Sequence, residues 1–158
     1  MAAVENLPNP YANPFRCTIR WKGNTVDYDS FPRIHEVTFP QGQVLKGSSA
    51  AQMHHPVVTN PEELLAAALG TCMMLTFLAV CSKVKVNVVS YTDEPEATVE
   101  LIERRHRVTR IVLHPEVVVV GTPDEALLKT AMDKAHGNCI ISLSTKADVH
   151  IEPVFRSA

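Results

Sequence analysis

From Leu64 to Ser82 the chain carries no charged residue. At about 1.5 Å per residue a helix of that length approaches the hydrocarbon thickness of a bilayer, so it must either cross a membrane or be covered by protein on nearly all sides. Ala66, Ala67 and Ala68, then Gly70, Thr71, Thr76 and Ser82, dilute its transfer energy, and strand-forming sequence flanks it on both sides. A helix buried in protein is the better reading. Its start is marked by Thr59 or Asn60 as N-cap, Pro61 in the first turn, and Glu62 and Glu63 at the positive end of the dipole. A chain of 158 residues with one sheet covers only part of such a cylinder. A second subunit is the expected cover.

Before this helix, Phe15–Trp21, Glu36–Phe39 and Gln43–Leu45 are short β-type runs punctuated by Gly23-Asn24 and Gln41-Gly42, which predicts a three-stranded meander. After it, Val84–Tyr91, Ala97–Ile102 and a longer run from His106 to Val120 read as strands. Thr122-Pro123-Asp124-Glu125 opens a second helix running to about His136, and Lys146–Phe155 reads as a final strand. The order βββ, α, βββ, α, β predicts an α+β domain with segregated elements, a single unit over 1–158. Residues 1–14, with Pro8, Pro10 and Pro14, predict a mobile N-terminal arm. That arm has neither a basic nor an apolar segment of the secretory type, so a cytoplasmic, reducing setting is expected. The 15 Lys+Arg against 17 Asp+Glu, with aromatics at 6%, argue against a nucleic-acid partner. The basic cluster Arg104-Arg105-His106-Arg107 with Arg110, flanked by Glu100 and Glu103, reads as a solvated strand edge.

Four thiols need an explanation: Cys17, Cys72, Cys81 and Cys139. Cys72 and Cys81 lie nine residues apart, about 180° around a helix, and cannot pair within it. Buried cysteine is a small hydrophobe, so structural burial is the default for each. Cys139 follows Gly137-Asn138, which reads as a helix stop, and would sit where the chain changes direction. His54-His55, and His136 with Cys139, lack the second ligand pair a metal site needs. Cys72 with His136 as a hydrolase pair lacks an orienting acid.

Asn60-Pro61-Glu62-Glu63-Leu64-Leu65-Ala66-Ala67-Ala68-Leu69-Gly70-Thr71-Cys72, followed downstream by Ala135-His136-Gly137-Asn138-Cys139 and Ser142, resembles the OsmC/Ohr family of osmotically inducible and organic hydroperoxide resistance proteins. The resemblance implies an OsmC-like fold, antiparallel sheets around a long buried central helix, in an intertwined homodimer. It implies a thiol peroxidase without cofactor or metal. Cys72 would be the peroxidatic thiol, oxidised by an organic hydroperoxide to a sulfenic acid, and Cys139 the resolving thiol that forms a disulfide with it. A dithiol reductant, of lipoyl type in the family, would reopen that disulfide. Glu62 matches the family's glutamate that orients a cationic group beside the reactive sulfur. Ten residues span about 15 Å of helix, so Glu62 is expected to serve the other subunit's site. Leu69, Met73, Leu75 or Phe77 would wall the site and favour an apolar peroxide.

Two positions depart from the family pattern. Its peroxidases place an arginine near the thiolate, whereas Arg16, Arg20 and Arg33 lie in the strand region here and the segment before the helix offers Lys46, His54 and His55. Ile140 stands where many members have proline. The alternative is a non-catalytic OsmC-like protein whose apolar dimer cleft holds a small hydrophobic ligand.

Overall fold

The computed structural model describes residues 11–49 and 58–158. The first ten residues of the arm, and His54 and His55, lie outside them. The chain divides into two compact units, Met1–Asn60 and Pro61–Ala158.

The first unit is the expected meander. Strands β1 (Thr18–Arg20), β2 (His35–Thr38) and β3 (Val44–Gly47) pair antiparallel in sequence order. Gly42, at φ 91, makes the β2–β3 turn, a backbone region where a side chain is unfavourable. Gly23-Asn24 also turns the chain: the Asn24 side chain accepts from the Val26 N–H at 2.9 Å. Arg33 lies 3.9 Å from the Phe31 ring centre and donates to the carbonyls of Tyr28 and Phe31, so its charge is engaged within this unit.

The second unit is built on α1 (Pro61–Lys83), with Glu62 and Glu63 in its first turn and Lys83 in its last. Two three-stranded sheets accompany it. One has the order β4 (Val88–Thr92), β7 (Glu116–Val119), β9 (Val154–Ser157), and the other β5 (Glu96–Ile102), β6 (Arg105–Leu113), β8 (Asp148–Ile151). Within them β4–β7 and β5–β6 are antiparallel, while β7–β9 and β6–β8 are parallel. The parallel pairs arise because the chain returns through α2 (Glu125–Asn138) and α3 (Ile140–Ser144) before its last two strands.

Proline accounts for two differences from the sequence reading. The run from His106 to Val120 is two strands broken at His114-Pro115, and the last strand is two broken at Glu152-Pro153. Proline cannot donate to a ladder, so each strand changes sheet there, and the breaks are stitched by Glu152 N–H to Leu113 O and Val154 N–H to Pro115 O. The β5–β6 hairpin turns on Glu103 and Arg104, both at positive φ, and its arginines are exposed.

Leu69, Met73, Phe77 and Cys81 form one row along α1, four residues apart, and are buried against Ile111, Leu113, Val117, Val119 and the inner face of α2, Leu128, Ala131, Met132 and Ala135. Gly70 lets the β4–β5 turn approach the helix, since a Cβ there would stand 2.8 Å from the Pro95 ring. The opposite face of α1 is apolar and uncovered in the single chain: Ala67, Ala68, Thr71 and Ala79 are exposed and Leu75 is 60% exposed.

Candidate active site

The second unit brings Cys72 and Cys139 together. Cys72 is half-buried, midway along α1 at the border between its covered and open faces. Cys139 has no exposed surface and occupies the junction of α2 and α3. All four cysteines are free thiols.

The junction is made by local hydrogen bonds. Asp124 caps α2, accepting from the Leu127 N–H at 3.0 Å, as its position in Thr-Pro-Asp-Glu predicts. The helix does not stop at Gly137-Asn138. It runs through both, and the Asn138 side chain donates to the Lys134 carbonyl at 2.7 Å. The stop is Cys139 itself, extended at φ −73°, ψ 114°, its N–H turned back to the His136 carbonyl. Cys139 then opens α3, its sulfur accepting from the Ser142 N–H at 3.4 Å and its carbonyl from the Leu143 N–H at 3.0 Å. One cysteine thus ends one helix and caps the next. Sequence periodicity misses α3 because five residues are too few to display a period.

The electrostatics of the two thiols are opposed. Burial acts to raise the Cys72 thiol. Against it, the Cys139 thiol, the polar backbone of Ile141 and Ile140, and Thr76 act to lower it and together hold it below the ordinary thiol value. Thr76 is anchored here, donating to the Cys72 carbonyl at 2.8 Å. Cys139 is pushed up to about 11, first by burial, then by its hydrogen bond to Cys72 and the charge of that sulfur. The two thiols are therefore shifted in opposite directions, Cys72 downward and Cys139 upward. Cys81 is buried in the core and its thiol is raised by burial alone. Cys17 is exposed in the first unit.

Glu62 lies in the first turn of α1, ten residues before Cys72, with its Oε2 buried and lacking a hydrogen-bond partner among the described residues. Of the four residues expected to wall the site, Leu69, Met73 and Phe77 are fully buried in the core and offer no surface to a ligand. Leu75, three residues beyond Cys72, is exposed, as is Ile140. Among the described residues no three His, Cys, Asp or Glu side chains gather as metal donors, and His136 meets Cys139 through its carbonyl.

Comparison with known proteins agrees with this architecture. The chain is 25% identical over 99 residues to the peroxiredoxin OsmC of Escherichia coli, covering 63% of this chain and 68% of that protein. It is 27% identical to the uncharacterized protein YmaD of Bacillus subtilis, over 87% of this chain and 90% of that one. An OsmC-like protein of unknown function from Vibrio cholerae superposes with a TM-score of 0.81 at 29% identity, over 90% of this chain and 99% of that structure. The organic hydroperoxide resistance protein OhrB of Bacillus subtilis shares the fold at 17% identity, with a TM-score of 0.64 over 90% and 98% of the two chains. Residues 54–154 match the model of the OsmC-like protein family, and with more than half of its length inside that match the chain belongs to this family.

Proposed function

We propose that the protein is a thiol peroxidase that reduces organic hydroperoxides with Cys72 and Cys139. The observation that carries this reading is the opposed acidity of two sulfurs joined by a hydrogen bond. The thiolate is the nucleophile in such chemistry, and Cys72 is the more readily ionised of the two thiols.

In the first step the Cys72 thiolate attacks the terminal oxygen of ROOH. The O–O bond breaks, the alcohol ROH leaves with a proton from the medium, and Cys72 becomes a sulfenic acid. Oxidation also changes Cys139. Once Cys72 is no longer negative, its charge stops raising Cys139 and its demand for the thiol proton disappears, so only burial still opposes ionisation. Cys139 then attacks the sulfenic sulfur, water leaves, and a disulfide forms. A dithiol reductant, of lipoyl type in our reading, returns both thiols by exchange while becoming a disulfide itself. The sequence of events follows from one contact: Cys139 is held inert until Cys72 has reacted.

The exposed apolar face of α1 around Leu75 supports a homodimer in which a second copy covers that face. In that dimer Glu62, whose Oε2 is buried and has no hydrogen-bond partner among the described residues, acts on the partner's site. An apolar surround of Leu75 and Ile140 gains energy only from an apolar tail, which favours alkyl hydroperoxides over hydrogen peroxide. We place this activity in the cytoplasm, where a thiol pair is kept reduced between turnovers.

Mass spectrometry after one equivalent of an alkyl hydroperoxide tests the proposal. A Cys72–Cys139 disulfide is expected in the wild type, and a trapped sulfenic acid on Cys72 in Cys139→Ser. Two thiols that stay reduced would overturn it.

A further inference from the structure

A cavity of about 240 Å³ lies between α1 and the β4–β5 turn. Ala67 and Met74 of the helix and Pro95 of the turn give it apolar walls, and among the described residues that line it Asp93 alone is charged. Cys72 follows Ala67 by five residues, about 140° around a helix, so the cavity and the thiol pair open on different sides of α1.

The two oxygens of Asp93 are unlike. Oδ1 accepts the His114 N–H at 2.7 Å, which ties the side chain to the end of β6. Oδ2 is met by the Tyr91 hydroxyl at 3.5 Å, a long contact that leaves most of its accepting capacity unused. It lies on the side of Gly70, where an added Cβ would stand 3.5 Å from it, so the helix wall of the cavity reaches Oδ2 with no side chain between them. The His114 ring is shared with a second acid, its Nδ1 standing 3.4 Å from Glu152 Oε2. Burial is the largest effect on Asp93 and raises its carboxyl above the ordinary range, against the lowering effects of the His114 N–H, the Tyr91 hydroxyl and the His114 ring. A half-buried carboxylate in that balance gains from a positive charge set against it.

We infer that this cavity binds a small primary ammonium compound, its cation on Asp93 Oδ2 and its apolar body against Ala67, Met74 and Pro95. A guanidinium fork takes both oxygens of a carboxylate, and Oδ1 is already engaged by His114, whereas a compact ammonium needs one oxygen. The cavity is smaller than the roughly 300 Å³ at which pockets for drug-sized molecules begin, so the apolar body is short.

Benzylammonium is the probe, with benzyl alcohol as its neutral isostere, each titrated at neutral pH into the reduced full-length protein and followed by amide shifts in NMR. In the wild type benzylammonium should bind about tenfold more tightly than benzyl alcohol, with its shifts gathered at Gly70, Thr71 and Asp93. Asp93→Asn keeps an acceptor for the His114 N–H and removes the charge, and should bring the two probes to the same affinity. Equal affinities in the wild type overturn the inference, as does the absence of saturable binding, and neither result depends on a variant folding. Shifts spread over surface carboxylates, or an unchanged preference in Asp93→Asn, overturn it as well. Neither probe is a peroxide or a thiol reagent, so the outcome is separate from whether Cys72 reacts with hydroperoxide.

Discussion

The Cys139 thiol donates to the Cys72 sulfur, so a single shared proton lowers one thiol and raises the other. That proton lies between a residue in the middle of α1 and a residue at the α2–α3 junction, 67 positions apart in the chain. In the proposed reaction this relationship sets the order of attack, Cys72 first and Cys139 after it.

Removing the donor should weaken the nucleophile. In Cys139→Ala the alkylation midpoint of Cys72 is expected to rise by about one pH unit, the worth of one hydrogen bond to a charged acceptor. Cys139→Ser keeps an O–H donor and the cap on Ser142, so its midpoint should stay nearer the wild type. If alanine and serine behave alike, the thiol contact does not control Cys72.

Stability should respond to alkaline pH through Cys139. Its folded value, about 11, lies above that of a free thiol, so the protonated form is favoured in the native state. Its contribution is therefore fully present below the ordinary thiol range and is lost as pH rises toward 11. Cys72 has the opposite sign: its depressed value contributes stability above the ordinary thiol range, lost as pH falls through its folded value. Melting temperatures of wild type minus Cys139→Ser, taken across pH 9 to 11, isolate the first effect from other titrating groups. The difference should fall with rising pH, and a flat difference contradicts it.

Gly70→Ala places a methyl 2.8 Å from the Pro95 ring. Alanine would ordinarily stabilise a helix interior by about 1 kcal/mol over glycine. Here the clash should reverse the sign, with a net loss of about 1–3 kcal/mol in urea unfolding. Pro95→Ala should restore much of it, and a double-mutant cycle without coupling would show that the turn does not press on the helix.

Leu75→Lys puts a charge on the open face of α1, where the side chain is already 60% exposed. Circular dichroism should be unchanged while sedimentation shows loss of the proposed dimer. A variant that sediments as the wild type does would place the subunit interface elsewhere.

Subunit mixing addresses Glu62. Homodimers of Glu62→Gln should be slow and those of Cys72→Ser inactive. A mixed dimer joins an intact Cys72 on one chain to an intact Glu62 on the other, so about half the wild-type activity per dimer is expected. No recovery on mixing means that Glu62 acts within its own chain or not at all.

The antiparallel meander, the long helix, the second helix and the α+β class were legible in the sequence because each rests on a local signal: alternation, an uncharged run, or a cap such as Asp124. The two sheet changes were missed because Ile111–Val120 and Val149–Phe155 are strand-like on both sides of their breaks, and Pro115 and Pro153 mark where each run divides. Gly137 misled in the other direction. It carries no positive φ, so nothing in its backbone ends α2, and the role of stop passes to Cys139.

What the sequence determined by itself was an apolar helix carrying Cys72, with a second thiol far downstream at a change of direction. Helical periodicity and turn chemistry act over a few residues and are encoded where they act. Which sulfur is the more acidic was decided only by the tertiary structure. Acidity depends on how many donors converge on a sulfur and how much water is excluded, and both quantities exist only once α3 has packed beside α1.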